Sequence, residues 1–349
     1  MSLDELLGAA QRLVESGVTP ACQIAVARDG ELLAHEAFGA ATTGSKFPAF
    51  SSTKPIVASM VWLLIAEGVL VPEQRVAELV PEFGTFGKDT ITLDQLLLHT
   101  AGIPNAPLRH EGADAGVRRA SFARWTLEWE PGTRFEYHSA SAHWVLVDLV
   151  ERVTGLDFRD AIEQRVTAPL GLPRLLGLPV EDQGDVVGGV LLDRDPTGEA
   201  VDLLSVANDP VVRAAGIPGG GGLMTAATMA GFYQGLLRNP GGLWDPEVLR
   251  DATTRVRCTF DDPLMGVPAN RSRGLVLAGD DGMHQFRYAM FGRDCSPGAF
   301  GHAGAYLQVA WADPATGTSF AFFKNGYHAD MIGDAANVVP LTDLAAALP

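Results

Sequence analysis

Two spacings of apolar residues alternate along the chain and predict helices and antiparallel strands at both of its ends. Between Leu3 and Val14, apolar residues recur three and four positions apart, which indicates a helix. Two short apolar runs follow, on either side of Asp29-Gly30, a dipeptide that favours a tight hairpin because both positions tolerate positive φ. Near the other end, a strand predicted from Tyr306 to Ala312 precedes a turn at Asp313-Pro314. Each end is therefore expected to supply strands to a sheet.

The middle of the chain has the spacing of helices, for example at Pro55–Gly68 and Ala142–Thr154, broken by loops rich in proline and glycine. We therefore expect an α+β fold, in which the N- and C-terminal segments form one antiparallel sheet that is flanked by the terminal helices. A mostly helical lobe is inserted between them. The predicted division is 1–70 with 290–349 for the sheet lobe and 71–289 for the helical lobe and its cleft-lining loops, as one catalytic unit.

Charge narrows the range of partners. Of the 349 residues, 47% are hydrophobic and 19% charged, which is typical of a folded globular chain. The formal net charge of −16 repels polyphosphate backbones and anionic membrane surfaces. We therefore expect neither nucleic acid nor a membrane as a partner, and the sequence gives no oligomeric state.

The cysteines and the N-terminal pattern bear on the compartment. Cys22, Cys258 and Cys295 are too few and too far apart for a disulfide framework, and no CxxC pair suggests a metal site. The N-terminal segment lacks the basic, apolar and small-residue succession of an export signal. The longest uncharged apolar stretch, from Pro55 to Ala66, is shorter than the ~20 residues that a bilayer requires. These patterns predict a cytoplasmic protein.

A serine and a lysine at the start of the long apolar helix are the first candidate chemical groups. In Ser51-Ser52-Thr53-Lys54 the hydroxyl and the amine are three residues apart and therefore share one helix face. Serine needs a neighbouring base to become a nucleophile, and apolar surroundings lower a lysine pKa towards the working range. The alternative is a lysine that only caps and solubilises the helix.

Two further segments carry polar or small residues that could complete such a site. Tyr137, in the loop before the helix that starts near Ala142, could hold or relay a proton, since a cationic neighbour lowers a phenol pKa from ~10. A packed aromatic is the alternative for this residue. In the segment 300–305, small residues would let a substrate lie along the strand, and the Ala305 N–H could join the Ser51 N–H in stabilising an oxyanion.

Together these elements resemble the serine β-lactamase and penicillin-binding-protein superfamily, specifically its class C-like branch, which includes family VIII carboxylesterases and acyltransferases. The resemblance spans nearly the whole chain. Three motifs carry it. Ser51-x-x-Lys54 matches the family's nucleophile motif. Tyr137-x-Ser139 is similar to its Tyr-x-Asn motif and His302-Ala303-Gly304 to its Lys/His-Thr-Gly motif, in the same order along the chain.

The resemblance implies a set of roles. Ser51 would be acylated, Lys54 and Tyr137 would move the proton, and the backbone amides of Ser51 and Ala305 would stabilise the tetrahedral intermediate. Ser139, two residues after Tyr137, would bind substrate together with the third motif, His302, Ala303 and Gly304. Two of these depart from the family pattern, because Ser139 replaces an asparagine and His302 replaces a lysine, and together they favour esters over β-lactams.

The resulting hypothesis is a serine hydrolase that cleaves carboxylic esters or a lactone of small molecules through a covalent acyl-enzyme on Ser51. A D-peptidase, amidase or β-lactamase, an acyltransferase with the same nucleophile, and a catalytically silent binding protein are the alternatives. No Gly-x-Ser-x-Gly elbow of other serine hydrolases is present. The chain also has no His-Glu-x-x-His zinc motif, and no metal or cofactor is expected. The run Gly219–Gly222 is interpreted as a tight turn that could border the cleft. The large apolar residues of the segment 261–296 are interpreted either as part of a cleft wall or as core.

Overall fold

The two ends of the chain pair with each other in one antiparallel sheet. In the computed structural model, which describes residues 1–193 and 199–349, a six-stranded sheet has the order β2-β1-β11-β10-β9-β8. The strands of the described ranges are, in chain order, β1 (Ala21–Arg28), β2 (Glu31–Gly39), β3 (Phe47–Pro48), β4 (Val190–Leu191), β5 (Leu223–Met224), β6 (Asp261–Asp262), β7 (Val267–Pro268), β8 (Val276–Leu277), β9 (Phe300–Gly301), β10 (Val309–Asp313), β11 (Thr318–Lys324) and β12 (Gly326–Tyr327).

Helices cover both faces of this sheet and fill the region beside it. Those of the described ranges are α1 (Leu3–Glu15), α2 (Lys54–Ala66), α3 (Val76–Leu79), α4 (Leu93–Leu97), α5 (Ala115–Phe122), α6 (Ser141–Thr154), α7 (Phe158–Ile162), α8 (Glu199–Asn208), α9 (Pro210–Ala215), α10 (Ala226–Arg238), α11 (Pro246–Thr254) and α12 (Met331–Ala346). This arrangement confirms the predicted α+β fold.

The central strand pair joins residues from opposite ends of the sequence. Cys22 of β1 lies opposite Lys324 of β11, and Arg28 lies opposite Thr318. The turn between β1 and β2 is the predicted Asp29-Gly30, whose φ angles of 51° and 89° are both in the left-handed region. The N-terminal helix α1 begins with a capping box that Ser2 and Glu5 form.

Strand β1 is buried on both faces because a different layer of helices covers each one. Cys22, Ile24 and Val26 share a core with α1 and α12. Ala21, Ala25 and Ala27 point to the other face, towards α10. The alternation follows from the two-residue period of a strand, and alanine on the second face lets α10 approach closely.

Helix α2 lies in the centre of the helical region. Its residues from Lys54 to Leu64 are all buried, and it contacts α6, α7 and α11. A helix that is apolar on every side is stable only when other elements surround it. The sequence of α2 is of this kind, so the helix has to lie in the interior. Lys54 is the first residue of this buried helix, and its side chain is buried with it. The described residues contain no helix that is long and apolar enough to cross a membrane.

The structure differs from the sequence expectation at the start of one strand. Strand β10 begins at Val309 and not at Tyr306, because Tyr306 and Leu307 have φ angles of 55° and 64° and lie in the tight turn Ala305–Leu307. The sheet continues beyond β9 to β8, which pairs with it. The division of the chain into 1–70 with 290–349 and 71–289 stays a prediction.

Candidate active site

The hydroxyl of Ser51 and the amine of Lys54 meet in the buried start of α2. Ser51 lies in the 3-10 turn Phe50–Thr53 that leads into the helix, and Lys54 is the first helical residue. The Lys54 Nζ atom lies 3.1 Å from Ser51 Oγ. It also donates to the carbonyl oxygen of Ser139 at 2.7 Å and to that of Gly219 at 2.6 Å.

This set of neighbours suits a neutral amine. Two carbonyl oxygens can take the two N–H groups of an uncharged Lys54, which leaves the nitrogen lone pair directed at the Ser51 hydroxyl. The Lys54 side chain is only 1% exposed. Burial lowers its pKa well below the usual lysine value, and the positive charge of Arg271 lowers it further. An uncharged amine in this position can accept the serine proton.

Tyr137 lies on the other side of the amine. Lys54 Nζ is 4.9 Å from the centre of the Tyr137 ring, and Tyr288 stacks on that ring with a centroid distance of 4.9 Å. The hydroxyls of Ser51 and Tyr288 are near enough to influence the Tyr137 pKa. The net shift is opposite to the sequence expectation: burial raises the pKa of Tyr137 well above its ordinary value. Tyr137 therefore holds its proton.

Arg271 was not found by sequence reasoning, although it is the cation that faces these groups. It is 1% exposed, and its guanidinium carbon lies 5.2 Å from the ring centres of Phe135 and Tyr137 and 5.6 Å from that of Tyr288. Within the described ranges it makes no ion pair, and its Nε and Nη2 atoms have no hydrogen-bond partner. No local sequence signal distinguishes it from Arg273, which pairs with carboxylates.

His302 is held behind the tyrosines. Its Nδ1 atom donates to the carbonyl oxygen of Ala303 at 2.7 Å, so its Nε2 atom is the acceptor for Arg271 Nη1 at 3.2 Å. The ring is fully buried, and burial lowers its pKa well below the usual histidine value. Its ring centre is 5.2 Å from that of Tyr288. The side chain thus contacts the residues of the site and does not line the cavity described below.

His99, whose ring lies next to that of Tyr137, is the centre of a cluster of three buried histidines. The rings of His99 and Tyr137 are 4.9 Å apart, and the backbone N–H of His138 donates to His99 Nδ1 at 3.1 Å. His143 stacks on His99. Burial lowers the pKa of all three, that of His138 to about 4, so these rings are uncharged at neutral pH.

The segment after His302 approaches the turn that carries Ser51. The Ser52 hydroxyl donates to the carbonyl oxygens of His302 at 3.1 Å and Gln308 at 2.9 Å, which joins this segment to the start of α2. A side chain at Gly304 would meet the carbonyl oxygen of Ala49 at 2.3 Å, so only glycine permits this approach. Ala303 is also buried.

Ser51 opens into a cavity of about 280 Å³. Among the predicted site residues, Ser51, Ser139 and Ala305 line it, and so does the run Gly219–Gly222. The remaining lining residues, which are mostly apolar, are Pro48, Phe50, Leu108, Arg109, Ala140, Leu203, Val206, Ala207, Val212, Arg213, Ile217 and Leu223. The expected wall at 261–296 is not part of this lining. That segment contributes Tyr288 instead, through its contact with Tyr137.

No cluster of three or more histidine, cysteine, aspartate or glutamate side chains suited to a metal ion occurs in residues 1–193 and 199–349. The groups that converge are a hydroxyl, an amine whose pKa is lowered, and two phenols, with a guanidinium next to the phenol rings. Such a set can activate a serine and transfer its proton without an ion.

Comparison with known proteins identifies the family of the chain. The family model described as Beta-lactamase matches residues 8–341. The chain is 26% identical to "Esterase/beta-lactamase LipL" of Mycobacterium tuberculosis, over 79% of this chain and 68% of the relative. The crystal structure of a family VIII carboxylesterase is similar with a TM-score of 0.81 and 23% identity, over 98% of this chain and 97% of the other.

A penicillin-binding protein homologue from Caulobacter crescentus has a similar structure, with a TM-score of 0.79 and 24% identity, over 98% of this chain and 96% of the other. At these identities the two solved structures establish likeness of fold. The family match covers almost the full length, and the chain therefore belongs to the Beta-lactamase family, whose members share a serine-hydrolase fold.

Proposed function

We propose that the protein is a serine carboxylesterase that forms a covalent acyl-enzyme on Ser51. The observation that carries the proposal is the position of the Lys54 amine, 3.1 Å from Ser51 Oγ with two carbonyl acceptors beside it. The amine takes the hydroxyl proton as Ser51 Oγ attacks the ester carbonyl carbon, and a tetrahedral intermediate forms. This step requires the uncharged form of Lys54.

The backbone amides of Ser51 and Ala305 would stabilise the oxyanion of that intermediate. Support for this role comes from the cavity, which both residues line. As the intermediate collapses, the bond to the leaving alcohol breaks and the alcohol oxygen takes a proton from Tyr137, which Lys54 then restores. Water repeats the sequence on the acyl-enzyme, so the products are an alcohol and a carboxylic acid.

The cavity and the two departures from the family motifs support an ester or lactone as the substrate. The lining is mostly apolar, which suits an acyl chain. The His302 side chain is buried and paired with Arg271, so it offers no cation to the carboxylate of a β-lactam. A relative whose name includes esterase activity supports the same choice.

Release of p-nitrophenol from p-nitrophenyl acetate and butyrate between pH 6 and 10 tests the proposal. The expected result is turnover by the wild type and its loss in Ser51→Ala. A matched control is Ser52→Ala, because that neighbouring hydroxyl is bonded to two carbonyl groups and should not react. The absence of product at every pH would contradict the proposal.

A peptidase or β-lactamase is the second candidate, since a penicillin-binding protein homologue shares the fold. Nitrocefin turnover faster than ester turnover would favour it. An acyltransferase would give ester products when alcohols are added as acceptors, and mass analysis of the products distinguishes this from hydrolysis. A silent binding protein would turn over none of these compounds and would not be labelled on Ser51.

We further propose that the protein acts in the cytoplasm on a small molecule and without nucleic acid or membrane as partner. All three cysteines are buried and unpaired, which suits a reducing compartment. Fractionation of the source cells, with detection by antibody, would test this location.

A further inference from the structure

One part of the Ser51 cavity is lined by two arginines. Arg213 on helix α9 and Arg109, just before the turn His110–Ala113, both line the cavity. Among the residues whose side chains the structure describes, neither arginine has a carboxylate partner. Helix α9 packs against that turn, so the two arginines come from adjoining elements.

Neutral groups hold the Arg213 guanidinium in place. Its Nε atom donates to the carbonyl oxygen of Ala207 at 2.8 Å, and its Nη2 atom to Asn208 Oδ1 at 3.3 Å. The nearby Asp209 carboxylate instead accepts from the backbone N–H of Val211 at 2.8 Å, as the cap of α9. Arg213 Nη1 has no hydrogen bond to any described residue.

Other partly buried arginines of the chain have a different environment. Hydrogen bonds to Asp157 and Asp251 raise the pKa values of Arg159 and Arg257. For Arg213, burial lowers the pKa, and the more distant charges around it do not reverse the shift. The chain has 42 acidic residues and 26 basic ones, so a shortage of acidic residues does not explain why no described carboxylate pairs with Arg213.

We propose that the ester cleaved at Ser51 carries a carboxylate and that Arg213, assisted by Arg109 at the rim, binds it. This inference rests on the proposed esterase function. An arginine presents two parallel N–H donors to a carboxylate, and a guanidinium that is already fixed loses little freedom on binding. The apolar remainder of the lining, including Leu203, Val206 and Ile217, would pack on the carbon chain. Half-esters of dicarboxylic acids have this combination.

Two pairs of esters of matched size test the inference. Mono-p-nitrophenyl adipate and p-nitrophenyl hexanoate differ by a carboxylate at the end of the acyl chain. 3-Carboxyphenyl hexanoate and phenyl hexanoate differ by a carboxylate on the alcohol. In at least one pair, kcat/KM for the anionic ester should exceed that for the neutral ester about tenfold or more, in line with a charge-assisted hydrogen bond.

In Arg213→Gln that ratio should fall towards one, and in Arg213→Lys it should be partly retained. The matched control is Arg250→Gln, an exposed arginine on α11 outside the cavity, which should leave the ratio unchanged. Equal rates within both pairs, or a preference that Arg213→Gln retains, would overturn the inference.

A binding measurement separates this inference from the proposed function. Calorimetry of Ser51→Ala with monomethyl adipate and with methyl hexanoate needs no turnover. Tighter binding of the anionic ester, lost when Arg213→Gln is added, supports the inference even if the wild type hydrolyses no ester, a result that would contradict the esterase function alone. Equal or absent binding of both esters overturns the inference whatever the hydrolysis assay shows.

Discussion

The Arg271 guanidinium carbon lies 5.2 Å from the centre of the Tyr137 ring, and no carboxylate of the described residues pairs with it. A buried charge acts through a medium of low dielectric constant and therefore influences its neighbours strongly. Its charge lowers the pKa of Lys54 and opposes the rise in the pKa of Tyr137. Arg271 thus favours the uncharged amine on which the proposed mechanism depends.

Removing this charge should move the acidic limb of the pH profile. Without Arg271 the ammonium form of Lys54 is less disfavoured, so its pKa rises and a higher pH is needed to produce the base. In Arg271→Gln the acidic limb of kcat/KM should therefore shift to higher pH. Profiles with p-nitrophenyl butyrate measure it. Arg273→Gln, whose charge Asp94 and Asp251 balance, is the control, and an unmoved limb in Arg271→Gln would refute this role.

Replacing Lys54 should remove the base. Loss of a positioned general base typically lowers the rate by roughly 10²–10⁴-fold, and we expect kcat/KM of Lys54→Met to fall within that range. Lys54→Arg should not restore activity, because a guanidinium does not give up its proton in proteins. Steady-state kinetics on p-nitrophenyl butyrate provide the test. Near wild-type activity in Lys54→Arg would show that only a positive charge is needed.

The same lysine should change how stability depends on pH. Its pKa is lowered in the folded state, so at neutral pH the unfolded chain binds more protons than the folded one. The Lys54 contribution to the free energy of unfolding therefore rises with pH from the lowered pKa up to the ordinary lysine value. Urea denaturation at pH 7 and pH 9 should show a larger increase for the wild type than for Lys54→Met. Identical increases would mean that Lys54 is charged in the folded protein.

The two stacked tyrosines should differ in importance. Tyr137 lies against the Lys54 amine, and its phenol is the proton donor that the mechanism assigns to the leaving alcohol. Tyr137→Phe keeps the ring and its packing, and its kcat should fall roughly 10²-fold or more. Tyr288→Phe, the matched control, should lose less than about tenfold, since its hydroxyl has no assigned transfer. A larger fall in kcat for Tyr288→Phe than for Tyr137→Phe would show that Tyr288, and not Tyr137, donates the proton.

Local patterns were sufficient to predict the main groups. The Ser51-x-x-Lys54 spacing places both side chains on one turn. Short apolar runs beside turn dipeptides predicted the strands at the two ends. Arg271 and Arg213 were not predictable, because an unpaired arginine is recognised only once its three-dimensional neighbours are known. For Tyr137, a cationic neighbour could be predicted from the sequence but its burial could not, and burial sets the direction of its pKa shift. Likewise, β10 begins later than predicted because Tyr306 and Leu307 have positive φ angles, and neither residue type indicates such an angle in the sequence.

Covalent labelling tests the central claim most directly. A fluorophosphonate reacts with an activated serine and remains attached, so intact mass and peptide mapping report which hydroxyl is the nucleophile. The proposed mechanism predicts one adduct, on Ser51, that is present in Ser52→Ala and strongly reduced in Lys54→Met. An adduct on another residue, or equal labelling of Ser51 with and without the Lys54 amine, would contradict it.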